Sequence, residues 1–392
     1  MKLAQLSTRY PPGLGGVERH VAEISAELGA RGHSVRVLTS DLYREFPWER
    51  LPPSVPRFER VPFGTVERLP VWSLPSGLHY PFFRGLGTAL RADPVEVVHA
   101  HTYGTNQVAV AHRHHRRTGT PFVLTAHFHP IDSIEGGWFR HRLRAFYDRR
   151  LAAPIVADAA RLIVQSREEE RLLRKLGIPL PPVRIVPPGY TPLPPPADGQ
   201  EFRRRYGIAG PYVLFVGRLA SNKGLLTLLE AFAPLAHRDP AASLVLVGPD
   251  GGMKVAFEAR VRALGIEARV KLIGWIDDEA MLAAAYREAR FFVLPSEYEA
   301  FGLVLLEALG QGTAVIATRV GGIPEFVEDG RAGLLVPPGE PGPLREAIER
   351  LWADPGGAAA MGAYGRERIV PQYRWGVVAD RLAGIYREAL DG

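Results

Sequence analysis

The chain has 392 residues, too many for one ordinary hydrophobic core, and at roughly 100–200 residues per domain it divides into two. Apolar residues make up 46% and charged residues 23%, the balance of a folded soluble protein. No cysteine is present, which excludes disulfides, thiolate metal sites and a thiol nucleophile. The net charge of +6 is uneven: residues 1–195 carry 26 Lys and Arg against 17 Asp and Glu, the remainder 22 against 25. The excess gathers in HRHHRR (112–117) and RHRLRAFYDRR (140–150). Such a surface attracts an anionic partner, whether nucleic acid, membrane or phosphorylated acceptor, and it reads equally as a solvated Arg-rich face.

In chain order, MKLAQL (1–6) is a buried strand followed by glycine turns, too short for the apolar core of a signal peptide. No stretch of about 18 apolar residues follows, so nothing spans a membrane, and a cytoplasmic enzyme is expected. A helical stretch at 17–28 leads to strands at 34–38, 95–100, 122–126 and 162–165. TPLPPPADG (191–199) is too rich in proline for a core element and reads as a stiff linker. The alternation restarts with YVLFVG (212–217), SLVLVG (243–248), VKLIG (270–274), FFVLPS (291–296) and AVIAT (314–318). Short, almost wholly apolar strands separated by helices predict an α/β fold of two doubly wound parallel sheets. Ligands of such sheets bind beyond the strands' carboxyl ends, which places the expected site in a cleft between the halves. The last helical pattern, 375–390, suits packing on either half.

Two segments carry chemistry. GRLASNKG (217–224) follows the strand YVLFV and sets Arg218 and Lys223 at a strand end, a fork and a compact charge that suit a diphosphate. It is no P-loop, since GxxxxGK[ST] is absent from the chain. PSEYEAFGLVLLEALGQG (295–312) holds Glu299 and Glu307 eight residues apart around a turn and a helix start. The free N–H groups and positive dipole end near residues 301–304 suit an anion, while the carboxylates suit the hydroxyls of a ligand that is both sugar and phosphate. As ordinary structure, Glu299 is a helix-start charge and Glu307 a buried acid.

With a GGxE loop at residues 15–18, GRLxxxKG and E-x7-E in a PSxxExFGLxxxEA context, all in order, the chain resembles the retaining GT-B glycosyltransferases of family 4 (glycosyl transferases group 1) over nearly its full length. The resemblance implies two Rossmann-like domains facing across a cleft: an acceptor-binding domain at 1–190, the linker 191–199, and a nucleotide-sugar domain at 200–392 whose last helix is free to pack back. It implies that Arg218 and Lys223 meet the donor phosphates, Glu299 the sugar hydroxyls and Glu307 the ribose. The amides of Phe301, Gly302 and Leu303 then meet sugar and phosphate, and Gly15 and Gly16 form the loop that approaches the phosphates. His127, in VLTAHFHP, resembles the histidine at the donor sugar, whereas His99, His101 and His129 read first as structural. A zinc site among these four is set against their different strands and the lack of a carboxylate, so no metal ligand is assigned. VKLIGWIDDEAM (270–281) aligns with the base-reading loop, through Trp275, Ile276 and Asp278, although Asp277 and Asp278 also read as helix N-caps.

The implied activity moves a hexosyl group from a UDP- or GDP-sugar to an acceptor, anionic or lipid-linked, with retention and by a front-side route in which the donor phosphate assists. His127, Glu299, Arg218 and Lys223 are the expected catalytic set. No cofactor is required, and with DxD absent the cation pair takes the place of a metal. Peripheral contact with the inner membrane face is expected of the basic half, and nucleic acid is not. A nucleotide-sugar epimerase or hydrolase on the same fold, and a nucleotide-sugar-binding protein without transfer, stay open as alternatives.

Overall fold

The computed structural model describes residues 1–13, 15–45, 48–72, 81–128, 142 and 145–392. They form two compact units: Met1–Gly189 with Trp375–Gly392, and Tyr190–Arg374.

The strands of the first unit are β1 (Lys2–Leu6), β2 (Ser34–Ser40), β3 (Leu42–Arg44), β4 (Glu49–Arg50), β5 (Phe58–Val61), β6 (Gly64–Leu69), β7 (Val71–Trp72), β8 (Phe82–Phe83), β9 (Val97–His101), β10 (Phe122–Thr125), β11 (Arg161–Val164) and β12 (Val183–Ile185). Eight of them form one sheet in the order β12-β11-β10-β9-β1-β2-β6-β5, parallel except at the β5–β6 edge, while β3–β4 and β7–β8 are short ribbons. Successive side chains point to opposite faces, and both faces are covered. Leu3, Val97, Val123 and Ile163 enter one apolar layer, and Ala4, Val98, Leu124 and Leu162 the other. This double coverage makes the strands apolar throughout.

The terminal helix Trp375–Leu390 belongs to the first unit. Trp375, Val378, Leu382 and Tyr386, spaced by helical turns, enter the same layer as Leu3 and Val97. Arg31 Nε meets Asp380 Oδ1 at 2.5 Å, and Glu388 binds Arg161 and Arg184. No helix among the described residues is long and apolar enough to cross a membrane.

The second unit has six parallel strands: β13 (Tyr212–Val216), β14 (Ser243–Val247), β15 (Val270–Gly274), β16 (Phe291–Leu294), β17 (Val315–Thr318) and β18 (Gly333–Val336), in the order β15-β14-β13-β16-β17-β18. The proline-rich segment is built into this unit. The Ala197 N–H donates to Ala280 O at 2.9 Å, and Asp198 caps the helix Gly199–Tyr206. In each sheet the winding reverses direction once, at β1/β9 in the first unit and at β13/β16 in the second. A doubly wound sheet binds ligands outside the carboxyl ends at this reversal.

Candidate active site residues

In the second unit the two motifs emerge at the switch point, GRLASNKG after β13 and PSEYEAFG after β16. Gly224 permits their close approach, and Gly321, in the turn after β17, lets that turn abut the Glu299 loop. Gly224 has φ 63°, and a Cβ there would lie 2.0 Å from Pro295 O; Gly321 has φ 54°, and its Cβ would lie 1.6 Å from Glu299 O. Sequence reading passed over Gly321, although GGIPE marked a turn. The outcome is an ion pair: Lys223 Nζ meets Glu299 Oε2 at 2.6 Å, with about one sixth of each side chain exposed (16% and 17%). Arg218 is exposed, and its side chain makes no hydrogen bond or ion pair among the described residues. Resemblance gave Lys223 and Glu299 separate tasks; the fold couples them.

The helix Leu303–Gly310 begins at Gly302, which has no side chain to cap the first turn, so its N–H groups remain available to an anion. The side chain of Phe301 is core, stacked on Phe326 with centroids 4.8 Å apart. Glu307 is half-buried and accepts from the Tyr286 hydroxyl at 2.7 Å. Burial and then the Glu307 charge push that phenol well above its ordinary value, so it stays a donor. Beyond the edge strand β15, Trp275 is 67% exposed and donates from Nε1 to Asp277 Oδ1 at 2.6 Å, while Ile276 is buried. Asp278 forms the helix cap that its sequence context also suggested. Its Oδ1 accepts from Ala280 N and Met281 N, capping the helix Glu279–Arg287.

In the first unit Gly15 is the N-cap of the helix Gly16–Ala30, and a Cβ on Gly16 would meet open space. Glu18, the acid of the GGxE loop, pairs with Arg9 Nε at 2.8 Å. Burial raises its carboxyl, against the lowering pull of Arg9. His127 follows β10 with φ 42°, a left-handed conformation unusual for a side-chain-bearing residue. Glu169 secures the next residue. Its Oε1 accepts from Phe128 N at 2.6 Å and its Oε2 from Gln165 N at 2.5 Å, and desolvation raises its carboxyl to about 7. Sequence reading missed Glu169, which in SREEE looks like one more surface acid.

His99 bonds Tyr386 and Thr125, both at 2.7 Å, and His101 bonds Gln5 at 2.8 Å. Of the basic segments, His112 and Arg116 meet Asp158, and Arg142, Arg149 and Arg150 are exposed. His129, Trp138, Phe139, Arg140 and Arg144 lie outside the described residues.

Switch-point cations, an uncapped helix start and two carboxylates can together bind a polyhydroxylated anion. Known proteins identify the scaffold. The glycosyl transferases group 1 family matches residues 198–368, and the glycosyl transferase 4-like domain matches residues 15–189. The D-inositol 3-phosphate glycosyltransferase of Acidothermus cellulolyticus is 34% identical over 96% of this chain and 86% of its own. A sucrose-phosphate synthase from Thermosynechococcus elongatus is 27% identical, with TM-score 0.75 over 100% of this chain and 99% of its own. Anabaena HepE in complex with UDP and glucose shares the fold at TM-score 0.71 and 21% identity, over 98% of each chain. The two halves, each with its own family match and its own doubly wound sheet, make this chain a member of the GT-B glycosyltransferases of family 4.

Proposed function

We propose that the chain transfers a hexosyl group from a UDP-sugar to a phosphorylated acceptor, with retention of anomeric configuration and without a metal. The observation that carries this reading is the Lys223–Glu299 pair beside the uncapped start of Leu303–Gly310, at the switch point of the second unit. Arg218 and Lys223 take the diphosphate, and the helix start shares the charge that grows on it as the glycosidic bond breaks. Glu299 and His127 accept from sugar hydroxyls, and Glu307, oriented by Tyr286, accepts from the ribose. The departing phosphate oxygen takes the acceptor proton on the same face, since none of these side chains has the standing of a general base.

UDP is favoured over GDP because the Asp278 carboxylate that would read a guanine edge is engaged as a cap. The HepE complex, a fold relative, holds UDP and glucose. The phosphorylated acceptor is supported by the names of the inositol 3-phosphate and sucrose-phosphate enzymes and by the basic excess of the first half, which receives the acceptor in this reading. The testing experiment is a thermal-shift series with UDP, GDP and ADP. A nucleotide at a hundredfold its Kd stabilises by about 2.7 kcal/mol. UDP is expected to raise Tm most, and Arg218→Ala to reduce that rise. Equal, negligible shifts with all three would refute the donor site. Incubation with donor alone separates transfer from epimerisation or hydrolysis, either of which would consume it.

A further inference from the structure

Beside the switch point of the first unit lies a group of histidines that the transfer reaction leaves largely unused. His20, from the helix Gly16–Ala30, is 5% exposed, and neither ring nitrogen has a hydrogen-bond partner. A buried imidazole normally finds at least one, because desolvation otherwise goes unrepaid. Its ring packs edge-on against His101 and His127, with centroids 5.7 and 5.3 Å away. One ring nitrogen from each of His20, His101 and His127 lies within 4.8 Å of the others.

The hydrogen bonds behind the group fix where a lone pair points. Gln5 Nε2 donates to the Tyr386 hydroxyl at 3.2 Å, which leaves Gln5 Oε1 to accept from His101 Nε2 at 2.8 Å. His101 therefore holds its proton on Nε2, and its Nδ1 presents a lone pair toward His127 Nε2, 3.4 Å away. Two nitrogens on a tetrahedral zinc, at about 2.0–2.1 Å each, stand roughly 3.3–3.4 Å apart. A ligating histidine whose other N–H donates to a carbonyl oxygen is also the usual outer-shell arrangement around zinc.

We propose that His20, His101 and His127 form a three-histidine Zn²⁺ site, and that its occupation inhibits the enzyme by withdrawing His127 from the donor sugar. The inhibitory part rests on the role given to His127 above; the binding part does not. Imidazole nitrogens suit zinc, whereas magnesium and calcium prefer oxygen ligands, so the site offers no metal for the diphosphate. His127 is half-buried while the other two are buried, so the ion enters on the His127 side.

The test uses the full chain stripped with EDTA and dialysed. Zn²⁺ is titrated in competition with a chromogenic chelator, and Co²⁺ serves as a spectroscopic probe. The expected result is one equivalent of Zn²⁺ per chain, a tetrahedral Co²⁺ spectrum, and at least a tenfold loss of affinity in His20→Gln. No tightly bound equivalent in the wild-type chain, a result independent of any variant's folding, would overturn the site. So would wild-type affinity in a folded His20→Gln. Zn²⁺ is further expected to suppress sugar transfer in the wild type, reversibly with EDTA, and far less in His20→Gln. Stoichiometric binding with unchanged transfer would overturn the inhibition and the proposed role of His127, leaving the metal site standing.

Discussion

Lys223 and Glu299 hold each other at 2.6 Å, so in the proposed transfer the lysine is shared between acid and diphosphate. The Arg218 side chain is exposed and unpaired among the described residues, which leaves it free for the proposed diphosphate. Replacing Arg218 by Ala is expected to lower kcat/KM by about 2–4 kcal/mol of transition-state stabilisation, as for a preorganised charge donor. Lys223→Ala is expected to cost at least as much, and the double variant with Glu299→Gln to fall short of additivity, because the residues are partners. Additive losses, or wild-type kcat/KM in both alanine variants, would show that the pair does not act in transfer. The histidines set a second expectation. Burial lowers His20 from 6.5 to about 4 and His99 to about 3, so these two imidazoles bind fewer protons in the folded chain than in the unfolded one across that interval. Their contribution to stability then rises with pH from about 3 to 6.5 and is lost on acidification, with each tenfold difference in proton affinity worth about 1.4 kcal/mol. Thermal melts should show Tm falling steeply below pH 6.5, and falling less in a folded His99→Gln variant. Parallel profiles would mean that His99 is not a source of the acid sensitivity.

At the scale of elements, the loops after β13 and β16 depend on backbone that only glycine supplies. Gly321→Ala places a methyl 1.6 Å from Glu299 O in a left-handed conformation, so the Glu299 loop must move. A loss of about 1–3 kcal/mol in stability is expected in thermal melts, with a fall in kcat/KM that exceeds any change in the folded fraction. Unchanged kinetics would show that the position of Glu299 is not critical. The central strands were legible because both faces are buried, and YVLFV or FFVL admits few other readings. The edge strand β5 and its neighbour β6 were not. In GTVERL a glutamate and an arginine interrupt the apolar pattern, and Arg68 is buried only because Pro11 O, Pro56 O and Glu59 receive its guanidinium. Glu299, Arg218 and Lys223 were legible as motif residues, but the pairing of Lys223 with Glu299 was not, since it depends on two strands that are neighbours only in the folded sheet. His20 was illegible for the same reason. In VERHVAEIS it looks like a polar helix position, and its histidine neighbours arrive from β9 and β10.

At the scale of the whole molecule, the charge is unevenly divided: the first half carries an excess of Lys and Arg, and the second a small excess of Asp and Glu. If the basic half receives a phosphorylated acceptor, KM for that acceptor should rise with salt, because exposed charges are screened over about 8–10 Å at physiological ionic strength. Vesicle co-sedimentation separates a soluble from a lipid-linked acceptor. Binding to anionic but not neutral vesicles, reduced by Arg142→Ala with Arg149→Ala, would favour the lipid; equal, negligible binding would favour a soluble phosphate. Metal-free, retaining transfer from a UDP-sugar leaves its signature in the anomeric configuration of the product, which proton NMR reads. With a UDP-hexose, a phosphorylated acceptor and excess EDTA, the expected result is a new glycoside whose anomeric coupling has the donor's configuration. A product of inverted configuration, or transfer that appears only when Mg²⁺ or Mn²⁺ is restored, would contradict it.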